Sequence, residues 1–297
     1  MEHDGTKLPI YERKPGQKFE VTESMKHEFS KNGFIIVRNL FSDEEITKLR
    51  KSLESPESEL MKRSYSDSDG DGGRIRIILW NHPGDDYSGV MGRCERVVGT
   101  CEKLIGGEVF HYHTKMILKD ARTGGAFQWH QDYGYWYLNG ILRPDMISVQ
   151  VAVDDADKGN GALQVVKGSH KMGRIDHTRI GDQAGADPKR VTEALKIMDK
   201  IYVELKAGDG LFFHCNLLHT SDKNLSDRRR WAYISCYNRA DNDSYQDHFH
   251  ARYTPLKKVP DSSVLECDDF NTMDGKWFHV PDQNKDFSYE YIPEKKQ

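Results

Sequence analysis

The sequence predicts an all-β core with flanking helices, a sandwich or jelly roll. From residue 109 the chain becomes a series of short strand-like runs, at 109–119, 127–133, 146–153, 162–166, 201–205, 210–214 and 230–237. Gly-rich or Asp/Asn-rich turns separate them, which is the punctuation of such folds. Before 109 the pattern is helical and capped, and no internal repeat or low-complexity tract divides the chain. One domain over 1–297 follows, with a flexible arm at 1–20, a helical lead-in at 21–108, the β core at 109–238 and a C-terminal extension at 239–297.

Each element has a local reason. Met25 and Phe29 stand four apart in 21–32, and Gly33 is a stop signal, so a short amphipathic helix is expected. Phe34-Ile35-Ile36-Val37 is an apolar strand-like run. Ser42-Asp43-Glu44-Glu45 is a capping box, opening a helix through Ile46, Leu49 and Leu53. Asp67, Asp69 and Asp71 imitate a calcium loop, but its twelfth position is Ile78 rather than Glu, so a flexible loop is expected. Arg74-Ile75-Arg76-Ile77 alternates like a strand with one wet face. A helix is expected over 91–104, ended by Gly106-Gly107, and another over 188–198 between strands. The loop 171–200 and the tail after 238 are expected to cover the barrel mouth.

Composition excludes several classes. With 37% hydrophobic and 30% charged residues the chain has core material for a soluble globule. No apolar run approaches the roughly 20 residues of a membrane span, and the N-terminus lacks the apolar stretch of a signal peptide. A formal charge of -4 argues against nucleic acid as a partner. Five widely spaced cysteines without a C-x-x-C pattern read as small buried hydrophobes in a reducing compartment, the cytoplasm.

The chemistry gathers in Phe127-Gln128-Trp129-His130-Gln131-Asp132-Tyr133. On a strand, positions two apart share a face, so the His130 imidazole and the Asp132 carboxylate converge. They supply two thirds of a 2-His-1-carboxylate site, which leaves positions open on an iron. His219 is the candidate third ligand, after the apolar run Leu211-Phe212-Phe213. Eleven residues later Arg230 opens a strand, where a guanidinium can hold a carboxylate through two parallel hydrogen bonds. On the strand 109–119, alternation puts Val109, His111, His113, Lys115 and Ile117 on the face toward the barrel and Phe110, Tyr112, Thr114, Met116 and Leu118 toward helices. His113 and Lys115 then either line the pocket or are ordinary polar positions. Gln150 is a second inward candidate, and Trp136 either walls the pocket or is plain core. Arg74, Arg76, His113, Lys115 and Trp136 are the candidate substrate contacts, and their cations hint at a small polar or carboxylated substrate.

In order along the chain stand Trp129-His130-Gln131-Asp132, Gly159-Asn160-Gly161-Ala162-Leu163, Gly168-Ser169-His170-Lys171, Gly208-Asp209, and His219-Thr220-Ser221 running through Asn224-Leu225-Ser226 to Arg230. This series, over about residues 20–240, resembles the phytanoyl-CoA dioxygenase family of iron(II) and 2-oxoglutarate-dependent oxygenases. Within it, the run 109–170 is most similar to ectoine hydroxylase and related small-molecule hydroxylases. The resemblance implies a double-stranded β-helix of two antiparallel sheets, with N-terminal helices on one of them. It implies that His130, Asp132 and His219 bind Fe(II), that Arg230 pairs with the far carboxylate of 2-oxoglutarate, and that Ser221 hydrogen-bonds it. Arg228 and Arg229 compete for that clamp, and spacing favours Arg230. Gln131, His113 and Lys115 become candidate cosubstrate contacts, although the family position of His113 carries a glutamine in ectoine hydroxylase, and Gln131 could equally face away. His170 and His214 stay structural in this reading.

The implied reaction is hydroxylation of a substrate C–H bond with O2, releasing succinate and CO2, with ascorbate as an accessory reductant. Because Asp132 is present, hydroxylation is favoured over the halogenation of relatives that carry a small residue there. Two other classes compete. A non-catalytic jelly-roll relative could bind a small carboxylate or a protein, but would have little reason to keep all three ligands and Arg230. A zinc hydrolase could use the same ligands, but lacks an obvious general base and leaves the arginine unexplained.

Overall fold

In the computed structural model, residues 8–280 are described, apart from 15, 70, 181 and 182. The strands in chain order are β1 (Ile10–Glu12), β2 (Phe34–Arg38), β3 (Tyr65–Ser68), β4 (Arg74–Asn81), β5 (Val109–Lys119), β6 (Phe127–His130), β7 (Met146–Ala152) and β8 (Leu163–Val166). They continue with β9 (His177–Ile180), β10 (Gln183–Ala186), β11 (Lys200–Val203), β12 (Gly210–His214), β13 (His219–Ser221), β14 (Arg230–Arg239) and β15 (Trp277–Phe278). The major sheet runs β1-β2-β12-β7-β14-β5-β4-β15, with β3 on β4, and the minor sheet runs β11-β8-β13-β6. Their mutual pairings are antiparallel except β1 on β2. The two sheets form the jelly roll that the strand spacing predicts.

The helices form where the caps say they should. Thr22 caps α1 (Glu23–Asn32) and Gly33 closes it in the left-handed region at φ 83°. Ser42 and Glu45 cap α2 (Asp43–Glu54) reciprocally, an arrangement worth about 1 kcal/mol. The helix expected over 91–104 is instead two, α3 (Tyr87–Arg93) and α4 (Glu95–Ile105). The break at Cys94 has a tertiary cause: Val259 takes the Arg93 carbonyl and gives its own carbonyl to Glu95 N, each at 3.0 Å. Met25 and Phe29 of α1, Leu49 and Leu53 of α2, and Val97 and Val98 of α4 share one core with Ile35, Ile78, Met116, Val149, Phe212 and Tyr233 from the major sheet. Helices therefore cover one face of that sheet, and its other face looks toward the minor sheet.

The chain ahead of 109 is less purely helical than expected. β2 lies in the body of the major sheet and β4 pairs with β5, because their apolar runs find partners far along the chain. Ile10–Glu12, within the expected arm, pairs with β2, and residues 1–7 lie outside the described residues. The loop at 67–73 is also fastened, since buried Asp69 accepts from Asp71 N, Gly73 N and Ala126 N at 2.9, 2.8 and 3.1 Å. The C-terminal extension is docked at several points: His279 N donates to Leu79 O at 2.8 Å, and the Lys276 ammonium is buried against Asp86.

Simple alternation fails on β5. The register with β14 slips between Cys236 and Tyr237, leaving Tyr112 as the extra residue. A bulge turns the following side chains by one position. Beyond it Lys115 and Ile117 face inward as expected. Before it Phe110 and Tyr112 join the interior cluster, Val109 joins the helix-side core, and His111 bonds Thr114 Oγ1 at 2.6 Å.

Two histidines away from the cluster, His111 buried and His214 half-buried, make a pH prediction. Burial pushes His111 from its ordinary 6.5 to about 3 and, with His170 beside it, His214 to about 4. Their folded values are depressed, so the unfolded chain binds these protons first. Stability is therefore full above about pH 6.5 and falls toward pH 4, by on the order of 3 kcal/mol per residue. Thermal unfolding midpoints across that window should drop, and His214→Asn should flatten the slope; an unchanged slope would contradict the assignment.

Candidate metal centre and buried cation pair

His130 ends β6, Gln131 stays extended at φ -114° and ψ 134°, and Asp132 starts the short helix α5 (Asp132–Trp136). The extended Gln131 preserves the same-side relation of its neighbours even though the strand has ended. β13 lies beside β6 with His219 opposite His130. His130, Asp132 and His219 thus come together, buried, with one ligand atom of each within 4.8 Å of the others. Asp132 Oδ1 lies 3.9 Å from Nε2 of both imidazoles. His130 Nδ1 is 2.7 Å from Gln128 O, and His219 Nδ1 is 2.8 Å from Leu217 O. Each Nδ1 donates to its carbonyl, which leaves the Nε2 lone pairs aimed at a common point.

Electrostatics set the same state. Burial holds both imidazoles below the ordinary histidine value, so they are neutral and free to offer their Nε2 lone pairs. Burial opposes ionisation of Asp132, but Lys115, His219, His130 and the Ser148 hydrogen bond together hold its carboxyl below the usual range. Two neutral imidazoles and one carboxylate, all inward, suit a divalent iron with open positions.

The pocket against this cluster is lined by Lys115, Ile117, Phe127, His130, Gln150, Leu163, His219, Ser221, Arg230 and Ile234. Arg230 is only 2% exposed, and its Nε has no hydrogen-bond partner. Among the described residues no carboxylate pairs with it, and burial lowers its guanidinium to about 10. Its two neighbours in sequence are engaged elsewhere: Arg228 pairs with Asp157 at 2.6 Å and Arg229 with Asp154 at 3.1 Å. Beside Arg230, at the paired register on β5, stands a lysine that reading the sequence missed, its ammonium held well below the ordinary lysine value by burial and by Arg230. Lys119 is fully buried and donates to Ser221 Oγ at 2.8 Å and Asp222 O at 2.6 Å. The signal was available, since Lys119 follows Lys115 and Ile117 at the same two-residue spacing. Ser221 Oγ accepts from this lysine and keeps its own hydrogen to donate.

Turn residues of the motifs, Asn160, Ser169, His170 and Asn224, place these groups from outside the pocket. Asn160, fully buried, binds Asp155 O at 2.7 Å and takes Asp157 N at 2.8 Å, setting the turn into β8. Ser169 accepts from Leu218 N at 2.8 Å, one residue before His219. His170 Nε2 lies 3.0 Å from Ser30 O, and His214 Nδ1 accepts from Asn216 N at 3.0 Å; neither reaches the cluster. Asn224 Nδ2 donates to Arg228 O at 2.6 Å, so this turn fixes the step from His219 to Arg230.

Other candidates sit elsewhere. Gln131 is fully buried but faces away: its amide nitrogen bonds Gly173 O and Asn216 O at 2.9 and 2.7 Å, and its oxygen takes Ile175 N at 2.7 Å. It fastens the loop after β8 to the ligand segment rather than meeting a cosubstrate. Arg74 is exposed at the start of β4, and Arg76 pairs with Asp120 at 3.1 Å. Both alternate with Ile75 and Ile77, whose side chains take the interior, so neither reaches the pocket. His113 and Trp136 pack together, ring centres 5.6 Å apart, with His250 of the C-terminal extension 4.7 Å from His113. They form an aromatic wall next to the row of Cys236 and Ser148. Lys115 enters the pocket, 3.7 Å from Asp132 Oδ1.

Known proteins share this arrangement of sequence and fold. L-proline trans-4-hydroxylase of Streptomyces griseoviridis is 28% identical over 233 residues, 73% of this chain and 86% of the relative. An ectoine dioxygenase of Stutzerimonas stutzeri is 25% identical over 287 residues, 90% and 91% of the two chains. The solved structure of EctD from S. alaskensis with 2-oxoglutarate and 5-hydroxyectoine superposes with a TM-score of 0.67 at 20% identity, covering 81% of this chain and 88% of that one. The conserved pattern of the phytanoyl-CoA dioxygenase (PhyH) family matches residues 29–232, from α1 into β14 and across every residue of the buried cluster, and the chain belongs to that family.

Proposed function

We infer that this protein is an Fe(II)- and 2-oxoglutarate-dependent dioxygenase that hydroxylates a C–H bond of a small, polar or carboxylate-bearing molecule. The observation that carries the reading is Arg230, a buried guanidinium without a carboxylate partner among the described residues, in the same pocket as the His/Asp/His cluster. A buried charge is costly until paired. A dicarboxylate reaching from metal to arginine would meet both needs.

His130, Asp132 and His219 would hold the iron. Bound Fe(II), with 2-oxoglutarate and O2, supplies oxidative decarboxylation to succinate and CO2 coupled to hydroxylation. Arg230 and Lys119 would receive the far carboxylate, with the Ser221 hydroxyl donating a third hydrogen bond. Ile117, Phe127, Leu163 and Ile234 line the space between and would keep water from it once the site is filled. Gln150 and Lys115 offer polar contacts at the metal end. Lys115, although paired with Asp132 at 3.7 Å, brings a further cation to the pocket, which supports a polar or carboxylated substrate. The relatives named for L-proline and ectoine fit the same class. Among the described residues no helix is long and apolar enough to cross a membrane. The five free cysteines support a reducing compartment, the cytoplasm.

The direct test is anaerobic addition of Fe(II) and 2-oxoglutarate, which should raise a weak visible charge-transfer band. Absence of the band, or a band undiminished in His219→Ala, would sink the reading. A screen of amino acids and small acids for stimulated succinate release, with ascorbate present, then identifies the substrate.

A further inference from the structure

The two oxygens of Asp132 are not equivalent. Oδ1 faces both imidazole Nε2 atoms at 3.9 Å, whereas Oδ2 accepts a hydrogen bond from Ser148 Oγ at 2.7 Å. Ser148 is fully buried on β7, a strand hydrogen-bonded on both sides, by β12 and β14. Its register partner on β14 is Cys236, whose Sγ lies 3.3 Å from Ser148 Oγ. The thiol can donate to the serine oxygen, and the serine hydrogen then goes to the carboxylate. An inner sheet position, a paired neighbour and a short hydrogen bond leave Ser148 little room to follow Asp132 elsewhere.

We propose that Ser148 is a positioning residue that confines Asp132 to ligation through one oxygen. This rests on the iron reading above. Two imidazoles and one carboxylate oxygen leave three positions on an octahedral ion. A chelating 2-oxo acid takes two, and the last is the one an oxygen-dependent reaction needs. If Asp132 swung to bind through both oxygens, that last position would be filled. The swing would also break a hydrogen bond to an ionised acceptor and strand a buried hydroxyl, which is what disfavours it. Ser148 thus preserves the open position rather than merely tightening the cluster.

Nitric oxide, a probe for an open iron position, separates these roles. The protein is loaded anaerobically with Fe(II) and 2-oxoglutarate, and the half-integer-spin EPR signal is read after nitric oxide is added. In Ser148→Ala the visible 2-oxoglutarate band should persist while the nitric oxide signal falls about tenfold or more, the scale of effects from groups behind a metal ligand. A wild-type signal in Ser148→Ala overturns the proposal, as does loss of band and signal together, which marks a structural role. Should Ser148→Ala fail to fold, Ser148→Cys keeps the shape with a weaker donor. It should lose at least about threefold of the signal with its band intact, and a wild-type signal there overturns the proposal as well. Failure of the iron reading is distinct, because the wild type itself would then show no band.

Discussion

Arg230→Ala is expected to raise the 2-oxoglutarate requirement roughly 30- to 4,000-fold while changing iron affinity by no more than a few-fold. The magnitude follows from truncating one partner of a buried, hydrogen-bonded charge pair, which costs about 2–5 kcal/mol, at 1.4 kcal/mol per tenfold. The selectivity follows from position. Arg230 is on β14 with Lys119 opposite and Ser221 nearby, and it makes no hydrogen bond or ion pair with the three ligand side chains. Lys119→Met should produce a smaller loss of the same kind, because this ammonium already has three oxygen contacts from Ser221 and Asp222. Titrating 2-oxoglutarate against the anaerobic visible band, beside a separate iron titration, measures both quantities. Equal losses of iron and 2-oxoglutarate binding in Arg230→Ala would contradict the clamp.

Removing a ligand should fail differently. Asp132→Gly and His219→Ala are each expected to abolish hydroxylation and to weaken iron binding by more than about 100-fold, since groups one step behind a metal ligand already cost about 10- to 100-fold. For Asp132 there is an added effect. Its carboxylate is the one negative charge in the cluster and the partner of Lys115 at 3.7 Å, so its loss would leave Lys115 and a bound iron without a compensating charge. Circular dichroism should stay unchanged, because His219 lies on a short strand paired on both sides and α5 is set by backbone bonds such as Tyr133 N to Cys215 O at 3.0 Å. Hydroxylation that persists in Asp132→Gly would remove Asp132 from the iron site.

Much of this site is readable before folding is considered, and the exceptions have physical causes. His130 and Asp132 are readable because two residues of extended chain bring side chains to one side. The convergence survives the end of β6 because Gln131 itself stays extended. Gln131 then has to face the other way, and there it meets the backbone of Gly173, Ile175 and Asn216. That packing comes from segments more than forty residues away. Arg74 and Arg76 follow the same alternation rule but with the opposite face inward, because the apolar Ile75 and Ile77 take the interior. Assigning the cations to a pocket needs knowledge of which face is wet. On β5 the alternation is sound from His113 to Lys119 and fails before the bulge at Tyr112, which is a property of the pairing with β14.

The chain's own pattern determined the strand series, the caps of α1 and α2, the order of the motifs, and the identity of the residues that meet at the cluster. These depend on short-range rules of spacing, capping and turn chemistry that each segment carries with it. Only the tertiary structure decided that Lys119 stands beside Arg230, that Ser148 holds the outer oxygen of Asp132, and that α3 and α4 part where Val259 reaches Cys94. Each of those is a contact between strands or segments distant in sequence. Sheet register and burial set such contacts, and a local pattern carries no record of either.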